Sequence, residues 1–588
     1  MIHHSQHRAA ALLAATALLA SCSQQPAGPS FTIERQGDTL GIVHITGQSR
    51  YLLLPVQEEM GEAQVKVCTA GGADTWMDVR LAIDSADYYV PMILPAGETA
   101  RVDVRHLPPS AAAWGLLQLA DTFDTTNREY YRPAYHFTPS YGWMNDPNGM
   151  VWKDGEYHLF FQYNPYGSKW GNMHWGHAVS PDMLHWKQLD PAICRDTLGH
   201  IFSGSSIVKG DTIYSYYTSA SDRVGQVQSG AWSVDGGRTY TKFPDNPRIT
   251  PADGRRDFRD PKLFEYGGHY YVIISADNEM QFFQSDNLHD WTYVSAFGDG
   301  YGVQPRQFEC PDFFKLPVEG TDAEKYVMIV NVNPGCWFGG SASQYFTGEW
   351  DGQTFRCDSP KEMVKWLDWG KDHYAAVTFS NEPRGRIISI PWMSNWQYAN
   401  MLPTKQYRSQ MGMPRELFAF RQGGEVYVGQ RPVAEIQSLL QPATIGVEAS
   451  TVRLAGSNAQ VMIEMDVKNG STFTLSNDRG EEVYFACRAG RLIMDRQKSG
   501  IIPTPDFVSE TWSPIPAMGT NSGTWIPVEQ LCGKQDTYHL QLWLDICSVE
   551  VYVNGGRGSM TNLVFPAEPY NTLTGDGLSN VKVSNIAL

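Results

Sequence analysis

Hydrophobic positions along the chain fall into strand-sized runs separated by turn residues. The early part carries Gly41-Ile42-Val43-His44-Ile45 and the alternating Ala63-Gln64-Val65-Lys66-Val67, which predict a small β domain from about Phe31 to Asp124. Within it, Ala111 to Leu119 reads as a short helix or a linker. From about Arg128 the texture changes to Tyr-rich runs beginning at Tyr157, Tyr214, Tyr270 and Tyr326, which start 57, 56 and 56 residues apart. One aromatic strand per period of that length predicts propeller blades of four short strands, and residues 128–430 have room for five. From 431 onward, Val461–Val467, Leu540–Asp545 and Val549–Val553 alternate and run into turns, which predicts a β-sandwich. The expected fold is all-β, with a tether and accessory domain over 23–127, a five-bladed propeller over 128–430 and a sandwich over 431–588.

The start of the chain is different. Ala9 to Ala20 is apolar but too short to span a bilayer, where roughly 20 residues are needed, so it suits the core of an export signal. It ends in Leu19-Ala20-Ser21-Cys22, which resembles a bacterial lipobox; lipidation at Cys22 would make residues 1–22 a lipoprotein signal, and ordinary signal cleavage is the alternative. Ser23 to Ser30 is polar with two prolines, as a tether would be. No acidic run follows, which favours the periplasm over the cell surface.

Composition narrows the function. In 588 residues, 46 Lys and Arg against 63 Asp and Glu leave a charge of −17, which argues against nucleic acid or an anionic membrane as partner. The only membrane contact expected is through the lipid. With 42% hydrophobic and 19% charged residues the chain can bury a large core. None of the cysteines after Cys22 forms a CxxC pair, so a zinc site has no support and isolated buried thiols are expected.

Three segments constrain a carboxylate: Trp143-Met144-Asn145-Asp146-Pro147-Asn148-Gly149, Phe258-Arg259-Asp260-Pro261 and Phe308-Glu309-Cys310-Pro311-Asp312. Taken singly, each also reads as a turn, an ion pair or a surface acid. Together they hold similar phases, with Asp146 11 residues before Tyr157, Asp260 10 before Tyr270 and Glu309 17 before Tyr326. Each acid would precede its unit's Tyr-rich strand, on an innermost strand where distant residues converge. Glycoside hydrolysis needs such a pair of carboxyls.

The order WMNDPNG, FQYNP, WGHAVSPDMLHW, FSGS, FRDP, ECPD and LDWGKDHYAA over about 131–420 resembles glycoside hydrolase family 32, the invertases, inulinases and levanases. The later LDICSVEVYVNGG resembles that family's C-terminal sandwich, and the first 130 residues lie outside the resemblance. The resemblance implies a propeller and sandwich that cleave terminal β-fructofuranosyl units with retention. It implies Asp146 as nucleophile, Glu309 as acid and base, and Asp260 as transition-state stabiliser. Asn145, Gln162, Ser203, Arg259 and Tyr374 would hydrogen-bond the sugar, and Trp170, Phe202 and Trp392 would offer flat apolar faces. Cys310 receives no chemical role. His373, where the family usually has an aromatic residue, is a wall or packing residue.

No metal or organic cofactor is implied. Glu309 must start protonated and Asp146 ionised, which predicts a bell-shaped rate profile on the acid side of neutrality. The expected substrates are levan, inulin and fructo-oligosaccharides, with sucrose as a further candidate. Two alternatives are a fructosyltransferase using the same acids and a non-catalytic fructan-binding lipoprotein, for which Glu309 would be superfluous.

Overall fold

The computed structural model describes residues 28–588 apart from 69–74, 98, 253, 444–445, 449, 455–459 and 509–522. The export signal, Cys22 and most of the tether lie outside the described residues.

Five antiparallel sheets, each built on four strands in sequence order, form the blades of the central ring. Their first strands are Gly142–Lys153 in blade I, His200–Lys209 in II, Phe258–Tyr266 in III, Phe308–Pro317 in IV and Tyr374–Thr378 in V. Each first strand contacts the next, and that of blade V returns to that of blade I, so the five surround one axis. The Tyr-rich runs are the second strands, for example Glu156–Asn164 and His269–Ala276. Blades I and III join first to second strand through Asp154-Gly155 and Gly267-Gly268, all four residues at positive φ, the two-residue turn whose twist matches a hairpin. Blade IV instead bridges Pro317 to Glu324 with a longer loop. That insertion is why Glu309 lies further from its Tyr-rich strand than Asp146 and Asp260 do.

Ahead of the ring, a five-stranded and a three-stranded sheet spanning 30–120 enclose a core that includes Val43, Leu54, Val90, Val104 and Trp114. The 111–119 segment holds both a single turn of helix, Ala113–Leu116, and the start of a strand, Gln118–Ala120. After the ring, a six-stranded and a seven-stranded sheet form the sandwich. Val461, Ile463, Leu542 and Val551 from one sheet and Phe473, Leu475 and Phe485 from the other share its core, as the alternation predicts.

Fully buried charges join sandwich to propeller. Arg415 reaches Asp368 at 2.9 Å and Glu550 at 2.6 Å, and His136 reaches Asp545 at 2.9 Å and Glu550 at 3.4 Å. The eight described cysteines are all unpaired. Cys194 is exposed, and Cys68 and Cys357 are half-buried, so these three depart from the expected buried thiols.

Candidate active site

All five inner strands break register at the same level, near the axis. The breaks fall at Asn145-Asp146 opposite Gln162, at Ser203, at Asp260-Pro261, at Cys310-Pro311 just after Glu309, and at Ala375-Ala376 just after Tyr374. A bulge leaves residues out of the ladder and re-aims their side chains. It also accommodates Pro261 and Pro311, which have no N–H to donate to the ladder, while Pro147 follows its bulge directly. Asp260, Cys310 and Ala375 take positive φ values of 63°, 42° and 51°, a strain that accumulates at functional sites. Five bulges thus turn Asp146, Ser203, Asp260, Glu309 and Tyr374 towards one axis.

Asp146 receives three hydrogen bonds: Asn145 Nδ2 donates to Oδ1 at 3.0 Å, and Ser203 Oγ and Cys310 Sγ donate to Oδ2 at 2.6 and 3.2 Å. Glu309 accepts Arg259 Nη2 on Oε1 at 2.6 Å and the Tyr374 hydroxyl on Oε2. Asp260 accepts the Cys310 backbone N–H at 2.8 Å, while its own N–H donates to Thr218 Oγ1 at 2.9 Å. Cys310 therefore ties the nucleophile candidate to its neighbour, with the thiol on Asp146 and the amide on Asp260.

Burial raises the Asp146 carboxyl above its ordinary range, with Glu309 adding to the effect and Ser203, Asn145 and Cys310 opposing it. Burial, together with Glu309 and Asp146, pushes Asp260 up to about 7 despite Arg259. Arg259 stays charged although burial works against it, because Glu309, Asp260 and Asp257 surround it. One guanidinium amid several carboxyls cannot neutralise them all, so the site retains a proton up to about neutral pH.

These groups line a cavity of about 370 Å³, within the range of small-ligand sites. Asn145, Gln162, Ser203 and Arg259 line it, as do the rings of Trp170 and Phe202. Tyr374 is buried behind Glu309 and reaches the cavity through that residue. Trp392 requires a correction. It is fully buried and does not line the cavity, because its strand Ile388–Met393 is buried along its whole length and its indole N–H donates to Ser409 Oγ at 2.6 Å. In its place Trp396, four residues on, lines the cavity beside Trp170 and Phe202 and stacks on Trp143 with 5.9 Å between centroids. Asp257, Gln226, Arg306 and Gln307 also line it and were missed; only Asp257 had a sequence signal, its place directly before Phe258-Arg259-Asp260-Pro261.

The LDWGKDHYAA segment has a second task. Asp368 accepts the Thr561 N–H at 2.9 Å, Asp372 accepts the Leu563 N–H at 2.8 Å, and Trp369 N–H donates to Ser559 O at 2.9 Å. At Gly370 a Cβ would lie 1.9 Å from Thr561 O, so only glycine fits. The sandwich thus anchors the chain just before Tyr374. His373 is a buried packing residue, its Nδ1 3.2 Å from Ser343 Oγ, and burial holds it neutral by lowering it to about 4. Among the described residues no group of three or more His, Cys, Asp or Glu is arranged to hold a metal ion.

A propeller whose axis gathers carboxyls around one cavity has the architecture and chemistry of a glycoside hydrolase. Residues 136–432 match the glycosyl hydrolases family 32 N-terminal domain and 430–586 the glycosyl hydrolases family 32 C terminal, so the chain belongs to glycoside hydrolase family 32. Residues 37–135 match a domain of unknown function (DUF4980). The levanase of Bacillus subtilis (strain 168) is 40% identical over 489 residues, covering 77% of this chain and 69% of that protein. An extracellular exo-inulinase of Meyerozyma guilliermondii is 33% identical over 494 residues, 75% of this chain and 90% of its own. Among solved structures, exo-inulinase from Aspergillus awamori aligns with a TM-score of 0.70 at 28% identity, covering 79% of this chain and 99% of that one. Fructofuranosidase from Schwanniomyces occidentalis complexed with fructose aligns at 0.69 with 28% identity, covering 79% and 100%.

Proposed function

We propose that the chain is an exo-acting, retaining β-fructosidase that releases fructose from levan, inulin or fructo-oligosaccharides. The observation that carries this reading is the convergence of Asp146, Asp260 and Glu309 on one cavity, each with its own hydrogen-bond donors. The relatives named as levanase and exo-inulinase support the substrate class.

In this reading Asp146 attacks the anomeric carbon and forms a fructosyl ester, while Glu309 protonates the departing oxygen. Glu309 then takes a proton from water, which attacks the same carbon and frees Asp146. A fructosyl anomeric carbon carries two oxygens and no hydrogen, so its cation forms readily and needs nearby negative charge. Asp260 supplies that charge and holds sugar hydroxyls. A hydroxyl donated to Asp260 favours its ionised form, so substrate binding strengthens the charge that Asp260 offers. Trp170 and Phe202 at the cavity offer apolar faces to the sugar. A cavity of about 370 Å³ suits a terminal unit better than the middle of a chain, which supports exo action.

The apolar Ala9–Ala20 stretch and Leu19-Ala20-Ser21-Cys22 support export with a lipid on Cys22, the polar tether without an acidic run supports the periplasm, and the exo-inulinase of Meyerozyma guilliermondii, named as extracellular, supports export alone. Protein lacking residues 1–22, incubated with levan, inulin and sucrose, tests the function through its products. Free fructose alone is expected. A ladder of oligomers would overturn exo action, longer products would make the enzyme a transferase, and no turnover would leave only binding.

A further inference from the structure

We propose that the N-terminal domain is a clamp that sets the Trp170 wall of the cavity and so governs how tightly a fructan is held. This rests on the function proposed above. Trp170 is the most exposed ring of the cavity, 41% accessible, on the segment between the strands Glu156–Asn164 and His174–Ser180. The segment has no sheet ladder of its own. Its ring is steadied on one side by His200, stacked at 5.8 Å and 14°, and by the edge of Phe202 at 6.2 Å. Propeller residues Asn164, Arg408 and Asn400 hold Lys169 O, Ser168 O and the Trp170 N–H, and the N-terminal domain adds contacts on both sides of the ring.

Glu58 of the N-terminal domain is 3% exposed and accepts the Ser168 hydroxyl on Oε2 at 2.8 Å. Its Oε1 pairs with Arg408 at 2.6 Å, both side chains 4% exposed. Arg408 Nη1 in turn donates to Ser168 O at 3.0 Å and to Asn400 O at 2.9 Å, and Asn400 Oδ1 accepts the Trp170 N–H at 3.0 Å. The Ser168 N–H donates to Tyr88 Oη at 3.1 Å, again across the domain boundary. On the far side of Trp170, Asn172 and Asp78 exchange two bonds: Asp78 N–H to Asn172 Oδ1 at 2.9 Å and Asn172 Nδ2 to Asp78 O at 2.7 Å.

The residues flanking Trp170 at 168 and 172 are therefore tied to the N-terminal domain by these four direct hydrogen bonds, and the buried Glu58–Arg408 ion pair bridges to Trp170 through Asn400. A buried charge is costly unless paired, so this contact is specific: removing Glu58 leaves the Arg408 charge without its carboxylate and takes one of the bonds that hold the Ser168 side chain. Trp170 is 41% exposed at the open part of the cavity, where the chain beyond the reacting unit would pass, whereas Asp146 and Glu309 stand on inner strands that do not depend on it. Glu58 is thus a positioning residue, acting on substrate through Trp170.

The test is a double-mutant cycle with Glu58→Ala and Trp170→Ala, read as KM and kcat for levan, with hydrogen exchange of residues 165–173 as a readout independent of turnover. Glu58→Ala should raise KM roughly three- to tenfold with kcat within about twofold of wild type, and should do nothing further in the Trp170→Ala background. Exchange in 165–173 should rise in Glu58→Ala without substrate. Ser168→Ala, which keeps the ion pair, should give a smaller change in the same direction if Glu58→Ala folds poorly. An unchanged exchange rate, an equal KM effect in both backgrounds, or a fall in kcat at constant KM would overturn the clamp. If wild-type protein turns over no fructan, the proposed function fails, and the exchange measurement still decides whether the domain holds the Trp170 segment.

Discussion

Replacing His136 with glutamine probes how propeller and sandwich are held together. The imidazole is fully buried between Asp545 at 2.9 Å and Glu550 at 3.4 Å. Burial works against its charged form, but its hydrogen bonds to Asp545 and Glu550 and their charges outweigh it and hold His136 up at about 9. Burial likewise works to raise Glu550, yet Arg415 and His136 keep it ionised at about 2. His136 is therefore the member whose charge is lost in the mildly alkaline range. Its folded value lies above the unfolded one of about 6.5, so its contribution is fully present below pH 6.5 and is lost as pH rises through about 9. At about 1.4 kcal/mol per pH unit, the step from 6.5 to about 9 is worth about 3 kcal/mol.

Glutamine keeps polarity and size but cannot charge. Urea unfolding of both proteins, followed by circular dichroism between about pH 6 and pH 9.5, should show the variant's deficit largest at pH 6 and smaller by about 3 kcal/mol at pH 9.5. A deficit constant across that range would refute the reasoning, since it would mean that His136 packs there without carrying charge.

Two further outcomes follow from the site and the leader. Ser203→Ala removes a 2.6 Å donor that lowers the proton affinity of Asp146, so the acid limb of kcat/KM should move to higher pH; a limb that stays in place would take Asp146 out of that titration. Labelled palmitate should enter the protein in growing bacteria and be lost in Cys22→Ala; equal labelling of both would remove the lipid from Cys22.

The motifs made the three carboxylates legible because proline and glycine constrain the chain beside each acid; the turns they suggest are bulges within strands in the structure. The Tyr-rich period made the blades legible, since each second strand is buried on both faces and repeats. Trp392 was misplaced for the same reason: in a strand buried along its whole length no alternation tells which ring faces a cavity. Arg306 and Gln307 come from a loop without periodicity. Asp368 and Asp372 looked like parts of a sugar motif, yet their partners lie in the sandwich, which no local pattern announces. The same holds for Glu58 and Arg408, whose pairing exists only once two domains meet.

Fructose release from levan by Asp146→Ala, compared with wild type at matched concentration and with unchanged circular dichroism, tests the assignment of Asp146 most directly. Loss of at least about four orders of magnitude in kcat is the predicted result, because no other group stands in for the nucleophile. Release within about tenfold of wild type would contradict the account.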